Sequence, residues 1–229
     1  MAKKDFIISP AGRALYPKLK DPDTKFKPAG EYSVKLILSE ADALPILEMC
    51  KRIQQEAFDA EFEKQRSDKP KMNPDKIREG IKLANLPVKP YEDPETGEET
   101  GNYQVTFKMN ATGIARKTGK PFTRCPVLFD ARNKLIDRMK IDVGSGSILK
   151  VGYTAAPFSK PATGTGVSLR LEAVQVLELT SWGQRDASAF GFEADEDGYS
   201  YDAKDDGDDS GFPFVGDDGE DTTPGASDF

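Results

Sequence analysis

Four cations and one aromatic ring lie within nine residues of this sequence, around a predicted turn: Arg116, Lys117, Lys120, Phe122 and Arg124. Lysine and arginine side chains pair with the phosphates of a nucleic-acid backbone, and an aromatic ring stacks on an unpaired base with about 1–3 kcal/mol per base. The combination predicts binding of a single strand without sequence preference. The alternative is a solvated strand face with scattered cations and no ligand.

The same chemistry continues on other predicted strands, where cations alternate with apolar residues. Side chains that alternate with a core-facing set point away from the core. Phe158, between Pro157 and Pro161 in a predicted loop, is hard to bury and is a second candidate for base stacking, whereas Tyr103 and Tyr153 follow core-facing registers. The predicted DNA-binding residues are Lys35, Lys108, Arg116, Lys117, Lys120, Phe122, Arg124, Lys150, Phe158 and Arg170.

The composition removes most kinds of enzyme chemistry. The chain has no histidine and only two cysteines, Cys50 and Cys125, which we expect to be small buried hydrophobes. Zinc sites built on imidazole, Ser-His-Asp triads and Cys-His pairs are therefore excluded. A metal-dependent nuclease would have to use carboxylates such as Asp130 and Asp137, whose cationic neighbours favour ion pairing instead. We predict no catalytic residue, no metal site and no cofactor.

Charge is divided unevenly along the chain. The net charge is −7, but residues 193–229 hold 14 acidic residues and one lysine, which leaves residues 1–192 at +6. A basic body with an acidic tail is typical of a polyanion-binding domain with an interaction tail. No apolar run reaches the roughly 18 residues that a membrane span needs, so we expect a soluble intracellular protein.

Segments of period two predict a mainly β body. They cover residues 32–38, 103–110, 123–129, 147–154 and 166–179. The break in alternation near Ala173 and Val174 predicts a bulge or a passage from one-sided to two-sided burial. A helix to about residue 66 has Ser39 or Asp42 as its N-cap, and Pro45, tolerated only in a first turn, favours Asp42. A shorter helix is predicted over residues 74–79.

The fold class that fits is an OB fold, a five-stranded antiparallel Greek-key barrel with an inserted helix. A β-sandwich is the alternative. We assign residues 1–192 to this single-stranded DNA-binding domain. Residues 193–229 form the acidic tail, which has no apolar periodicity and is expected to be disordered.

Several stretches carry a recognisable pattern. They are Val127-Leu128-Phe129-Asp130 followed by Lys134, the turn Gly144-Ser145-Gly146-Ser147, the segment from Gly166 to Val176, and an acidic tail ending in Phe229. Together they resemble the single-stranded DNA-binding proteins of T7-like and related tailed bacteriophages over most of residues 5–182. The resemblance implies an OB fold, tolerant single-strand binding and a place in phage DNA replication, recombination and repair in the cytoplasm of the infected bacterium.

The resemblance also implies partners. The tail would recruit the phage DNA polymerase and helicase/primase, with Asp228 and Phe229 as the partner-binding residues, and the protein could form a homodimer. Without DNA, we expect the tail to mask the basic groove, since a flexible chain of its length reaches about 35 Å. The competing hypothesis is an interaction protein, or DNA mimic, whose acidic tail occupies a host nucleic-acid-binding site.

Overall fold

The alternating segments of the sequence form strands that close on themselves. The computed structural model describes residues 6–25, 27–94, 96–115 and 118–180. The strands are β1 (Ile7–Ile8), β2 (Gly12–Asp23), β3 (Glu31–Ser39), β4 (Val88–Glu92), β5 (Glu99–Asn110), β6 (Thr112–Ile114), β7 (Pro121–Thr123), β8 (Val127–Phe129), β9 (Leu135–Ile136), β10 (Ile148–Lys160) and β11 (Gly164–Glu178). The helices are α1 (Glu40–Asp68) and α2 (Pro74–Gly80).

Five strands form a closed ring in the order β2-β3-β5-β11-β10, and β10 returns to β2. Four of these neighbouring pairs are antiparallel, whereas β5 and β11 are parallel. The expectation of a wholly antiparallel barrel is therefore wrong, for a topological reason. A ring with an odd number of strands cannot alternate direction all the way round, so one neighbouring pair has to be parallel.

The core lies inside this ring, on the predicted faces of the strands. Val34, Phe107, Tyr153 and Leu171 are buried, and their neighbours in sequence are more exposed; Leu36 is also buried, as is the Ile37 that follows it. The predicted bulge is present, because the β10–β11 register shifts between Gly152 and Tyr153, where one step along β10 corresponds to two steps along β11. The alternation of these long strands is confirmed.

The segment predicted as one strand over residues 123–129 is divided between two sheets. β7 pairs with β6 in a separate hairpin, whereas β8 pairs with β11, and the buried Pro126 lies between them. Val127 is exposed and Leu128 is buried, so Leu128 is the residue of β8 that faces the core. Cys125, also expected to be buried, is exposed.

Helix α1 begins earlier than Pro45 suggested. Ser39 is the N-cap: its Oγ accepts a hydrogen bond from the Asp42 amide at 3.3 Å and donates one to Asp42 Oδ2 at 2.7 Å. Pro45 therefore lies inside the helix, where it cannot make one backbone hydrogen bond. The shorter helix is confirmed as α2.

One face of α1 packs on the barrel, chiefly against β10 and β11. Burial raises the pKa of the Cys50 thiol to about 11, so the group stays neutral and acts as core. Gln54 is buried and donates to the Ala84 carbonyl at 2.7 Å and the Thr165 carbonyl at 3.3 Å, which ties the segment before β4 to the start of β11. Within the described ranges, neither helix is long and apolar enough to cross a membrane.

Candidate nucleic-acid interface

One line of directly paired residues crosses the outside of the barrel. Its members, one from each barrel strand, are Lys18, Ser33, Lys108, Arg170 and Thr154. We call this line the cross-barrel row. Residues paired in this way have Cβ atoms about 4.5–5.5 Å apart on the same face. Lys18, Lys108 and Arg170 are exposed, so the row presents three cations to solvent.

The row joins two predicted residues that lie far apart in the sequence, Lys108 and Arg170. It also includes Lys18, which sequence analysis missed. Lys18 follows a shift in the β2–β3 register, so its face cannot be read from local alternation. The contact of this row with DNA remains a prediction.

Lys35 lies beside the row, on β3 two residues after Ser33, and its Nζ is 5.8 Å from the centre of the Tyr16 ring. Tyr16 is an exposed aromatic residue of β2 that is not among the predicted DNA-binding residues. Its φ of 45° turns the chain at the β2 irregularity, and its amide donates to Ser145 Oγ at 2.9 Å. Strained backbone of this kind concentrates at functional sites.

Lys150 lies on the outer face of β10, opposite Gln175 and half-buried. It shares that face with Thr154, four residues further along the strand, a distance of about 13 Å. Lys150 therefore lies near the row rather than in it.

The basic cluster that was predicted around a turn lies on the β6–β7 hairpin, which begins where β5 ends. The Arg124 guanidinium lies 4.9 Å from the centre of the Phe122 ring, and its Nε donates to the Asn110 carbonyl at 3.2 Å. Lys120 is exposed near the tip. Arg116 and Lys117 lie outside the described residues, as do Asp228, Phe229 and the predicted domain boundary at residue 192.

Phe158 lies in strand β10 and not in a loop, so that part of the prediction is wrong. The β10–β11 hairpin extends to Lys160, and Phe158 pairs with Gly166 across it. The ring is half-buried, and the Nζ of Lys160, another residue that was missed, lies 5.6 Å from its centre. The two prolines suggested a loop. Among the described residues, however, β10 at Pro157 pairs only with β11, so this part of β10 is an edge of the sheet, where proline is tolerated.

A carboxylate already occupies the middle of the cationic surface. Glu31 accepts hydrogen bonds from Lys108 Nζ at 2.8 Å and from Lys27 Nζ at 3.0 Å. Partial burial acts to raise the pKa of Glu31, but the hydrogen bonds and charges of Lys108 and Lys27 outweigh it and hold the pKa below its ordinary value. Glu31 is therefore charged at neutral pH and competes with any phosphate for Lys108.

Among the residues that the structure describes, no group of three acidic, cysteine or histidine side chains is arranged to hold a metal ion. The groups that this surface offers are the cations of lysine and arginine and exposed or half-buried aromatic rings. Both kinds of group suit a flexible polyanion that carries exposed rings.

The sequence and the fold match known proteins. A family model described as "Single-stranded DNA-binding protein, Bacteriophage T7" matches residues 12–179. The single-stranded DNA-binding protein of Enterobacteria phage T3 is 30% identical over 178 residues, covering 76% of this chain and 72% of the relative. That of Escherichia phage T7 is 29% identical over 210 residues, covering 87% and 86%.

A solved structure gives the same answer. The crystal structure of a single-stranded DNA-binding protein encoded by bacteriophage T7 is similar with a TM-score of 0.61 and 25% identity, over 87% of this chain and 100% of that one. The resemblance seen in the sequence is confirmed. The chain belongs to the family of the single-stranded DNA-binding protein of bacteriophage T7.

Proposed function

We propose that this protein binds single-stranded DNA without reading its base sequence. The observation that supports the proposal is the cross-barrel row, in which Lys108 and Arg170 lie side by side although they are distant in the sequence. Cations gathered in one line can neutralise successive phosphates, and each such contact releases condensed counterions. The relatives of the chain are named for the same activity.

We propose further that the barrel is an OB fold. The ring order of its five strands, with the last two joined as a hairpin, supports this assignment. OB folds bind oligonucleotides on the face of the second and third barrel strands, with help from the first and last connecting loops. Here the second and third strands are β3 and β5, which carry Lys35 and Lys108.

The test is a fluorescence-anisotropy titration of the full chain with labelled oligothymidine. Unlabelled single strands of different sequence should compete almost equally, and a duplex of the same length should compete much less. Affinity should fall steeply with salt, since the contacts are ionic. Competition that depends strongly on base sequence, or no binding at low salt, would overturn the proposal.

The acidic tail is proposed to regulate the same surface. Residues 193–229 carry a net charge of −13 against +6 for the rest of the chain, so the tail is an intramolecular competitor for the cations. When DNA displaces it, the tail becomes available to the phage DNA polymerase and helicase/primase through Asp228 and Phe229. Exposed charges are screened beyond about 10 Å at 0.1 M salt, so masking is strongest at low salt.

The protein would act by binding rather than catalysis, in replication, recombination and repair of phage DNA in the cytoplasm of the infected cell. A homodimer is part of this proposal. It is supported by exposed apolar side chains at strand β1. Phe6, just before β1, is 58% exposed, and Ile8, in β1, is 70% exposed, so both offer apolar surface to a second copy. Analytical ultracentrifugation at micromolar concentration tests this point, and a purely monomeric protein would contradict it.

The charge of the tail also favours a second candidate, a DNA mimic that occupies a nucleic-acid-binding site on a host protein. A DNA mimic binds through its negative charge, so it does not require a line of cations across its barrel. The anisotropy titration distinguishes the two, because a mimic would leave the labelled oligothymidine unbound.

A further inference from the structure

Two aromatic side chains on the outer surface are built into the same three-part unit. Phe122 pairs across its hairpin with Gly113, and Phe158 pairs across its hairpin with Gly166. In each case a cation two residues after the ring lies over it, Arg124 at 4.9 Å and Lys160 at 5.6 Å from the ring centre. We call the pair the Phe-Gly-cation units.

The glycine of each unit provides the surface on which the ring lies. A Cβ added to Gly113 would be 2.8 Å from Phe122 Cζ, and one added to Gly166 would be 2.8 Å from Phe158 Cζ. Neither glycine has a positive φ, so backbone conformation does not demand glycine there. At Gly113 the obstacle to a side chain is the ring alone, whereas at Gly166 it is the ring together with Ala84 Cβ, which would lie 2.9 Å from the added atom.

The cation occupies the side of the ring that would otherwise be open. Both rings are half-buried at the surface, and Arg124 and Lys160 are exposed. Two other cation–ring contacts differ, because Tyr32 beneath Arg138 and Phe62 beneath Arg78 are only 4% and 8% exposed and belong to the packed interior. The exposed ring of Tyr16 beneath Lys35 has no glycine paired opposite it among the residues that the structure describes. Each ring lies against the opposite strand and has an exposed cation over it, so the ring becomes accessible once that cation leaves. For Arg124 this also requires loss of the hydrogen bond from its Nε to the Asn110 carbonyl.

We propose that the Phe-Gly-cation units are base-stacking sites that are capped by their own cations in the free protein, and that a DNA base displaces the cation from the ring onto a phosphate. This inference rests on the proposed function and adds how the surface opens. Before binding, the cation covers the ring and limits the exposed apolar area. After binding, the ring holds a base and the cation holds the backbone.

The magnitudes favour the exchange. A cation–π contact at an exposed site changes an equilibrium constant by about two- to fivefold. Stacking of a base on an aromatic ring changes the binding constant by about five- to 150-fold. The displaced cation also gains a phosphate partner, which adds about one counterion to the salt dependence. A strand without bases offers no replacement for the cap, so it leaves the cation on the ring.

The experiment compares two oligomers of equal length, oligothymidine and an abasic strand with the same phosphates, each titrated against the full chain over a range of salt. The measured quantity is the slope of the logarithm of the binding constant against the logarithm of salt concentration. Lys160→Gln should reduce the size of this slope by about one for oligothymidine and leave it unchanged for the abasic strand. Lys51→Gln, on the exposed face of α1, is the matched control. Equal slope changes on both oligomers, or none on either, would overturn the exchange.

Two ring variants complete the test. Phe158→Leu should weaken oligothymidine binding about fivefold or more with little effect on the abasic strand. Gly113→Ala keeps every charge and ring but displaces the Phe122 ring. It should therefore also weaken binding of oligothymidine more than binding of the abasic strand. Gly80→Ala, where an added Cβ meets nothing within 4 Å, is its control.

The outcomes separate this inference from the proposed function. Two results would overturn stacking and leave ionic DNA binding intact. One is a loss of affinity for Phe158→Leu and Gly113→Ala that is equal for both oligomers. The other is a wild-type protein that binds the abasic strand as tightly as oligothymidine. Failure of the wild-type protein to bind either oligomer would instead overturn the proposed function.

Discussion

At the level of single residues, the ammonium group of Lys108 has a partner before DNA arrives. Glu31 binds it at 2.8 Å and binds Lys27 at 3.0 Å, and the side chain of Glu31 is only 22% exposed. An ion pair of this kind contributes little to stability, since exposed pairs are worth about 0–1 kcal/mol. Its larger effect falls on ligands, because every phosphate at Lys108 has to displace a carboxylate.

We therefore expect Glu31→Gln to tighten binding of oligothymidine by about two- to fivefold at low salt, the range that an exposed ion pair allows. Anisotropy titration at neutral pH measures the change. Glu56→Gln, on the exposed side of α1, is the control and should leave the affinity unchanged. An unchanged or weaker affinity for Glu31→Gln would contradict competition at Lys108.

At the level of elements, α1 packs on β10 and β11 and begins at the Ser39 cap. Ser39→Ala removes the side-chain oxygen that accepts from the Asp42 amide, and we expect a loss of about 1 kcal/mol in the free energy of unfolding. Urea denaturation measures the loss. DNA affinity should not change, because Ser39 is not a member of the cross-barrel row.

A matched control lies at the other end of the same helix. Ser67 only donates to the Glu63 carbonyl at 2.9 Å, so Ser67→Ala should stay within about 0.5 kcal/mol of the wild type. Equal losses for the two serine variants would show that the Ser39 cap has no special role.

Elements also show how far sequence reasoning reaches. The alternation of Val34, Leu36 and Phe107 and the bulge in β11 were predictable, since each follows from local periodicity. The division of residues 123–129 between two sheets and the strand around Phe158 were not, because each depends on a partner strand elsewhere. Period-two patterns give the face of a residue, but they do not give its neighbour across the sheet.

The candidate site was predictable to the same extent. Lys108 and Arg170 could be assigned to an outer face from local pattern, whereas their adjacency depends on the parallel pairing of β5 with β11. Tyr16 lies within an irregularity of the β2–β3 register and Lys18 lies directly after it. That irregularity cannot be predicted from local alternation. Lys160 could have been found, since it repeats the spacing of Arg124 from Phe122.

At the level of the whole molecule, two charge-bearing regions of opposite sign belong to one chain. Deleting residues 193–229 removes −13, and we expect oligothymidine binding to tighten on the order of tenfold at 0.05 M salt, with the difference shrinking by 0.2 M as screening grows. Titration of full-length and truncated protein at both salt concentrations measures this. Equal affinities at low salt would contradict masking by the tail.

Phe229→Ala separates the two proposed roles of the tail. It keeps all the acidic residues, so DNA affinity should equal that of the full chain, whereas binding to the phage polymerase in a pull-down should fall. A change in DNA affinity as large as that of the deletion would assign masking to the aromatic ring instead of the charge.

The parallel pairing that an odd ring requires has a consequence for the opening of the barrel. Among the described residues, β5 and β11 share one paired position, Lys108 with Arg170, whereas β3 and β5 share nine. The parallel junction is therefore the seam of the barrel with the fewest paired positions, and the proposed DNA-binding row crosses it. A strand of DNA lying on both cations would act as a clasp across that seam, so the ligand would slow the opening of the barrel as well as occupy its surface.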